Sequence, residues 1–200
     1  MNYLLPLLSV LIGYVFALVF QPKDKAKLKL LLAFSGSFLL SLTVSHLLPE
    51  IYESNNNRIG LFIMVGILFQ IILEYFSQGA EHGHVHGHDK MNHIPWLLFI
   101  SLCIHALAEG FPVAHNHDLA IGIAIHHLPI AIILTTFFIN ANLDKKAIFL
   151  FMVTFAIMTP LGTILSDYLP LLNVYYTEIT AVVIGILFHI SSTIIFESSE

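Results

Sequence analysis

The sequence predicts an all-α membrane protein, a bundle of about seven transmembrane helices with its N-terminus outside. Two observations lead to this fold class. Of the 200 residues, 57% are hydrophobic and only 10% are charged, whereas a soluble domain carries about 25% charged residues. The apolar residues also lie in runs of about 20, the length that crosses a bilayer, and these runs lack the alternation of β-strands. We therefore treat 1–200 as one transmembrane domain whose first partner is the lipid bilayer.

Seven segments meet the length requirement, and short polar connections separate most of them. In chain order the predicted spans are 2–20, 28–49, 59–77, 94–114, 119–139, 145–167 and 173–196. The first span resembles a signal peptide in its apolar character. It lacks a basic N-terminal stretch and a small-residue cleavage motif, so we interpret it as a transmembrane helix.

The orientation follows from the positive charges, which concentrate in the cytoplasmic loops of membrane proteins. In the first, third and fifth loops, or at the start of the spans that follow them, lie Lys23, Lys25, Lys27, Lys29, Lys90, Lys145 and Lys146, and only Arg58 lies on the other side. This distribution predicts that the odd-numbered loops are cytoplasmic and that the N-terminus is outside. We expect an integral protein of the cell (inner) membrane. No basic cluster with interleaved aromatic residues is present, so a nucleic acid is not an expected partner.

The longest loop, 78–93, is polar and rich in histidine. Its histidines are His82, His84, His86, His88 and His93. Such a tract binds metal ions with modest specificity in any flexible chain, and we expect it to be disordered without a ligand. The alternative is a polar linker without a metal-binding role.

Ionisable residues inside the apolar spans are the main functional signal. Each acid or base at mid-depth costs at least ~2.5 kcal/mol, so such residues commonly serve a function. The fourth span carries His105 and Glu109, whose i, i+4 spacing places both on one helix face. The fifth span carries His126 and His127. A short connection makes these spans antiparallel neighbours, so the four side chains should meet near the middle of the membrane.

Imidazole and carboxylate are ligands that suit zinc and other late first-row divalent ions. We therefore predict a metal site of His105, Glu109, His126 and His127. The two adjacent histidines point about 100° apart on a helix. His126 is the preferred direct ligand, and His127 either supports it or serves a second position.

Three further residues allow two interpretations each. His189, in the last span, is better explained as a hydrogen-bonded packing residue than as a ligand. His46 either packs between helices or lies on the path by which metal enters. Glu50 lies at the outer mouth, where it either gathers cations or is simply solvated.

At this point the motifs resemble a known family. SHLLPE in the second span, the histidine-rich loop, HALAEG, HHLPIA, TPLG and GILFHISSTIIFES occur in that order. Together they resemble the ZIP (Zrt/Irt-like) family of divalent-metal transporters over essentially the whole chain. The resemblance implies an extracellular N-terminus, a cytoplasmic histidine loop, and movement of spans one, four, five and six against the others.

The sequence also departs from the family pattern. Ala106, Ala108, Ile130 and Thr159 stand where that pattern has Asn, Pro, Glu and Glu. The missing ligands lead us to expect one principal metal site in place of the two that the family often holds. The family usually has eight helices, and the apparent absence of the eighth leaves the formation of a homodimer open.

The expected function is uptake of a divalent metal into the cytoplasm through the predicted site. Zinc, or another divalent transition metal, would be the transported substrate, and the chain would not be an enzyme. Two alternatives remain. One is an intramembrane zinc-dependent hydrolase, which the absence of an HExxH motif disfavours, and the other is a metal-binding or sensor protein that transports nothing.

Overall fold

The structure is a computed structural model that describes residues 3–22, 24–54, 56–77 and 94–198. Within these ranges the chain is helical, and no strand is formed. The helices are α1 (Leu4–Phe20), α2 (Lys25–Leu42), α3 (Leu48–Tyr52), α4 (Ile59–Ser77), α5 (Trp96–Val113), α6 (His117–Asn140), α7 (Lys145–Tyr168), α8 (Pro170–Val174) and α9 (Tyr176–Ser198). The predicted loop at 78–93 lies outside the described residues.

The helices have the character of an all-α membrane bundle. Among the described residues, six helical segments are long and apolar enough to cross a bilayer, namely Ala26–Tyr52, α4, α5, α6, α7 and α9. The first helix, with 17 residues, is apolar but shorter. Large apolar side chains cover the outside, among them Leu30 and Phe196 with exposed fractions of 72% and 73%. Because such a surface is unfavourable in water, lipid is its natural surroundings.

Exposed aromatic residues mark the two ends of the bundle. Tyr52, Tyr168 and Tyr175 lie near one end, whereas Tyr75 and Trp96 lie near the other, and all five are more than half exposed. Tyrosine and tryptophan concentrate at the two interfaces between membrane and water. Their placement therefore frames the apolar layer in which the buried polar residues lie.

Side-chain caps define where several helices begin. The Asp24 carboxylate accepts a hydrogen bond from the backbone N–H of Lys27 at 3.2 Å, and this bond lowers the pKa of Asp24. The second helix therefore begins at Lys25, three residues before the predicted span. In the same way, the side chain of Asn116 accepts from the N–H of Leu119 at 3.0 Å and begins α6.

A π-helical turn, Thr43–Leu47, joins α2 to α3 and carries His46. Proline at position 49 has no N–H, and its ring clashes with the carbonyl four residues back. The helix adjusts its register here, and the N–H of Leu48 donates to the carbonyl of Thr43 five residues back. The segment from Ala26 to Tyr52 consequently continues as one long helical span despite Pro49.

Two glycines bring α5 and α7 into backbone contact. A Cβ on Gly110 would lie 2.3 Å from the carbonyl oxygen of Thr159, and one on Gly162 would lie 2.1 Å from that of Leu107. The hydroxyl of Thr163 donates to the carbonyl of Gly110 at 3.0 Å. Small residues at such contacts allow close helix packing in membranes, so α5 is fixed against α7 at the level of its functional residues.

A second pair of glycines joins α4 to α9. A Cβ on Gly66 would lie 1.9 Å from the carbonyl oxygen of Val182, and one on Gly185 would lie 2.0 Å from that of Ile63. Near the start of both helices, the Asn56 amide donates to the Glu178 carboxylate at 2.9 Å. The contacts advance along both helices in the same direction, so α4 and α9 run parallel.

Candidate metal site

The fourth predicted span, α5 in the structure, presents a histidine and a glutamate on one buried face. His105 Nε2 lies 3.1 Å from Glu109 Oε1, and the side chains are 1% and 0% exposed. The i, i+4 spacing produces this contact because residues four apart lie one above the other on a helix. The glycine contact with α7 turns the same part of α5 toward the interior of the bundle.

Helix α6 contributes both of its histidines to the same region. His127 Nε2 lies 3.0 Å from Glu109 Oε2 and forms a hydrogen bond with it. Because an ionised carboxylate can only accept, Nε2 of His127 carries the donated proton. The Glu109 carboxylate thus has a histidine against each oxygen.

His126 faces the other side of this arrangement and completes a group of three. His105, Glu109 and His126 each offer one ligand atom, and these atoms lie within 4.8 Å of one another. All three side chains are buried. The rings of His126 and His127 have centroids 5.9 Å apart, so the two neighbours occupy separate positions around Glu109. The group has the ligand types and the spacing to hold one divalent ion.

The group lies near the middle of the apolar layer. His105 is nine residues from the start of α5 and eight from its end, or about 13 and 12 Å at the helical rise. His126 is nine residues into α6, which is about 13 Å. The two helices therefore bring their functional residues to one depth.

Helix α7 closes the site from a third side. The Phe155 ring packs against His127 with centroids 5.3 Å apart, and Thr159 is buried one turn further along. Thr159 has no carboxylate, and Glu109 is the single carboxylate among these clustered side chains. Every member of the group is at most 1% exposed, and the site is closed to both sides of the bundle.

Among the described residues, the predicted positions His46 and Glu50 are not part of this group. His46 and Glu50 are exposed, and Glu50 accepts a hydrogen bond from the Asn116 amide at 3.3 Å. Their predicted role on the path by which metal enters stays a prediction. The loop histidines, His82, His84, His86, His88 and His93, lie outside the described residues.

One intramembrane pair was missed by the sequence reasoning. Nε2 of His189 contacts Oε2 of Glu74 between α9 and α4, whereas no acidic partner was expected for His189. The sequence did contain a signal, because Glu74 is the single acidic residue within the apolar helix α4.

Comparison with known proteins finds no match: no family model, no curated protein and no solved structure matches this chain. The resemblance to the ZIP family therefore stays a sequence-based expectation. The functional argument rests on the buried histidine–glutamate group and its position in the apolar bundle.

Proposed function

We propose that this chain transports a divalent metal ion, zinc first, into the cytoplasm through His105, Glu109 and His126. One observation carries the proposal: a fully buried group of metal-ligating side chains lies at mid-depth in an apolar helical bundle. A structural role alone would favour apolar residues there, because ionisable groups at this depth are costly. Transport of an ion would explain why ionisable side chains are placed at this depth.

The ligand types favour zinc among divalent ions. The group contains two imidazoles and one carboxylate, whereas magnesium and manganese prefer sites built mainly from oxygen ligands. His127 holds the second oxygen of Glu109 and so orients the carboxylate toward the other two ligands. In known metal sites such orienting hydrogen bonds fix the ligand and tune its affinity.

The finer topology belongs to the same proposal. The chain crosses the membrane seven times, with its N-terminus outside and loops 21–27, 78–93 and 140–144 in the cytoplasm. The distribution of Lys and Arg supports this orientation. Helix α1 has 17 residues, about 25 Å at the helical rise, which the bilayer can match by local thinning. Its extensive packing on α6 also supports counting α1 as a span.

The closed site requires a movement that opens it to each side in turn. Following the resemblance to the ZIP family, we assign α1, α5, α6 and α7 to one moving group and the remaining spans to a second group. The packing of α1 on α6 and of α5 on α7 is compatible with the first group and that of α4 on α9 with the second, while α2 packs on both α6 and α9. Between the groups lies an apolar cavity of about 330 Å³, whose lining includes Phe69, Leu107 and Val183. Loose apolar packing at this boundary is compatible with sliding.

Zinc flux into liposomes tests the proposal. The purified chain is reconstituted into liposomes that enclose a zinc-sensitive dye, and zinc is added outside. We expect a saturable signal with the natural chain and none with His105→Ala. His117→Ala is the matched control, since His117 is exposed and lies outside the group, and it should retain the flux.

Two outcomes would contradict transport and favour an alternative. Zinc binding to the buried group without flux would indicate a metal-binding or sensor protein. Proteolytic or other hydrolytic activity that Glu109→Gln abolishes, again without flux, would indicate an intramembrane hydrolase.

A further inference from the structure

A second histidine–glutamate pair lies away from the central group. Glu74 of α4 and His189 of α9 contact each other through Oε2 and Nε2. Both helices begin near the Asn56–Glu178 contact and run parallel. Glu74 is 15 residues into α4 and His189 is 13 residues into α9, or about 22 and 20 Å. Measured from the end of the bundle that holds the Asn56–Glu178 contact, the pair thus lies roughly 8 Å further along than the central group. It is close to the opposite end, where α4 leads into 78–93.

The pair differs from the central group in its position at the surface of the bundle. The side chains of His189 and Glu74 are 20% and 24% exposed, whereas the central side chains are at most 1% exposed. Glu74 also lies only three residues before the end of α4, so an ion has a short distance to travel from that end of the helix to the pair. No Lys or Arg occurs in α4 or α9, so neither helix supplies a permanent positive charge to Glu74.

The arrangement around the pair is rigid. Gly66 and Gly185 bring the backbones of α4 and α9 into direct contact, eight residues before Glu74 and four residues before His189. Helices that approach so closely hold side chains at a fixed separation. One nitrogen and one oxygen ligand are consequently presented side by side without any need for a flexible loop.

We propose that Glu74 and His189 form a second site for zinc or a chemically similar divalent ion. Imidazole and carboxylate are both zinc ligands, and zinc prefers four. Two protein ligands leave the other positions to water, so this site binds more weakly than the central group and exchanges its ion faster. Glu74 precedes His82 by eight residues in the sequence, so the site lies near the end of α4 that leads into the histidine-rich segment. The proposal concerns binding and does not depend on transport by the central group.

The competing explanation is a hydrogen-bonded pair that only fastens α4 to α9. The two explanations differ in metal binding, which a packing pair does not require. A titration must first weaken the central group and remove the histidines of 78–93. The parent protein therefore combines His105→Ala with alanine at His82, His84, His86, His88 and His93, and it is kept full-length in lipid nanodiscs.

Zinc and cobalt titrations of this parent test the site. We expect about one weak site per chain by calorimetry, and a cobalt absorption spectrum of mixed nitrogen and oxygen ligation. Glu74→Gln and His189→Ala should each weaken binding at least tenfold. Glu178→Gln is the matched control, because it alters a polar contact between the same two helices without touching the pair, and it should leave binding unchanged.

The result can overturn the proposal without reference to transport. Absence of zinc and cobalt binding in a parent that melts cooperatively would refute it, as would binding that survives both substitutions. If His189→Ala does not fold, Glu74→Gln decides, since it preserves the size and the polarity of the side chain. Absence of zinc flux with the natural chain, by contrast, would refute only the transport proposal.

Discussion

The adjacent residues His126 and His127 permit the sharpest test of the central group. Both are buried on α6, at 0% and 1% exposure, yet they stand in different relations to Glu109. His126 belongs to the group whose ligand atoms lie within 4.8 Å. Nε2 of His127 forms a hydrogen bond with Glu109 Oε2 at 3.0 Å. We therefore expect alanine at His126 to remove a ligand and alanine at His127 to release the carboxylate.

The two substitutions should lower the zinc affinity by different amounts. Zinc sites with four protein ligands bind with ~10–16 kcal/mol at neutral pH, or about 2.5–4 kcal/mol per ligand. His126→Ala should then weaken zinc binding by about 10²- to 10³-fold, because 1.4 kcal/mol corresponds to a factor of ten. Removal of a residue that orients a ligand typically costs about 10- to 100-fold, which is the loss expected for His127→Ala. Calorimetry on protein in nanodiscs measures both.

A double-mutant cycle with Glu109→Gln separates the roles. If His127 acts through the carboxylate, its alanine variant should cost little further affinity once Glu109 is replaced. The His126 variant should still weaken binding in that background, since His126 contacts the metal by itself. Independent, additive effects of His127 and Glu109 would refute this reasoning, and so would equal losses for the two histidines.

Four further predictions follow from the structure and the sequence. Zinc affinity of the central group should fall as the pH is lowered, because protons compete with the metal ion for the imidazole ligands; a pH-independent calorimetric titration would contradict this. Gly110→Ala would place a Cβ 2.3 Å from a backbone oxygen of α7 and should lower stability by about 1–3 kcal/mol. Gly60→Ala, with nothing within 4 Å, should leave the melting temperature unchanged. In a cysteine-free background, a cysteine at Asn116 should react with an impermeant reagent in intact cells and one at Asn142 should not; the reverse pattern would invert the topology. Replacing the histidines of 78–93 should slow zinc flux but preserve high-affinity binding, and complete loss of that binding would move the principal site into the loop.

Much of the fold could be predicted because membrane spans have a strong one-dimensional signal. The predicted span 59–77 has the same bounds as α4, and 145–167 differs from α7 by one residue. The start of α2 was misplaced by three residues because the Asp24 cap lies outside the apolar run. The π-helical turn before Pro49 and the short helix α8 have no comparable signal in composition, since both are local adjustments of backbone hydrogen bonding.

The members of the central group could be predicted from the sequence, whereas the contact between Glu74 and His189 could not. His105 and Glu109 share one helix, so helical spacing alone brings them together, and a short connection brings α6 beside them. The contact between Glu74 and His189 joins residues 115 positions apart. It depends on the glycine contact between α4 and α9, which spacing within either helix cannot reveal.

The charge of the central group explains why one carboxylate can be sufficient. In the empty group the Glu109 carboxylate has a histidine against each oxygen, which compensates for its burial. A bound divalent ion together with an ionised Glu109 would have a net charge of about +1, since imidazole ligands are neutral. A second carboxylate would neutralise the loaded group but would leave the empty group with an excess negative charge in the apolar layer, which is costly. The hydrogen bond with His127 holds the Glu109 carboxylate in place, whether the group is empty or loaded. A single glutamate among histidines therefore suits the proposed transport site, which would have to be stable when empty and release its ion when loaded.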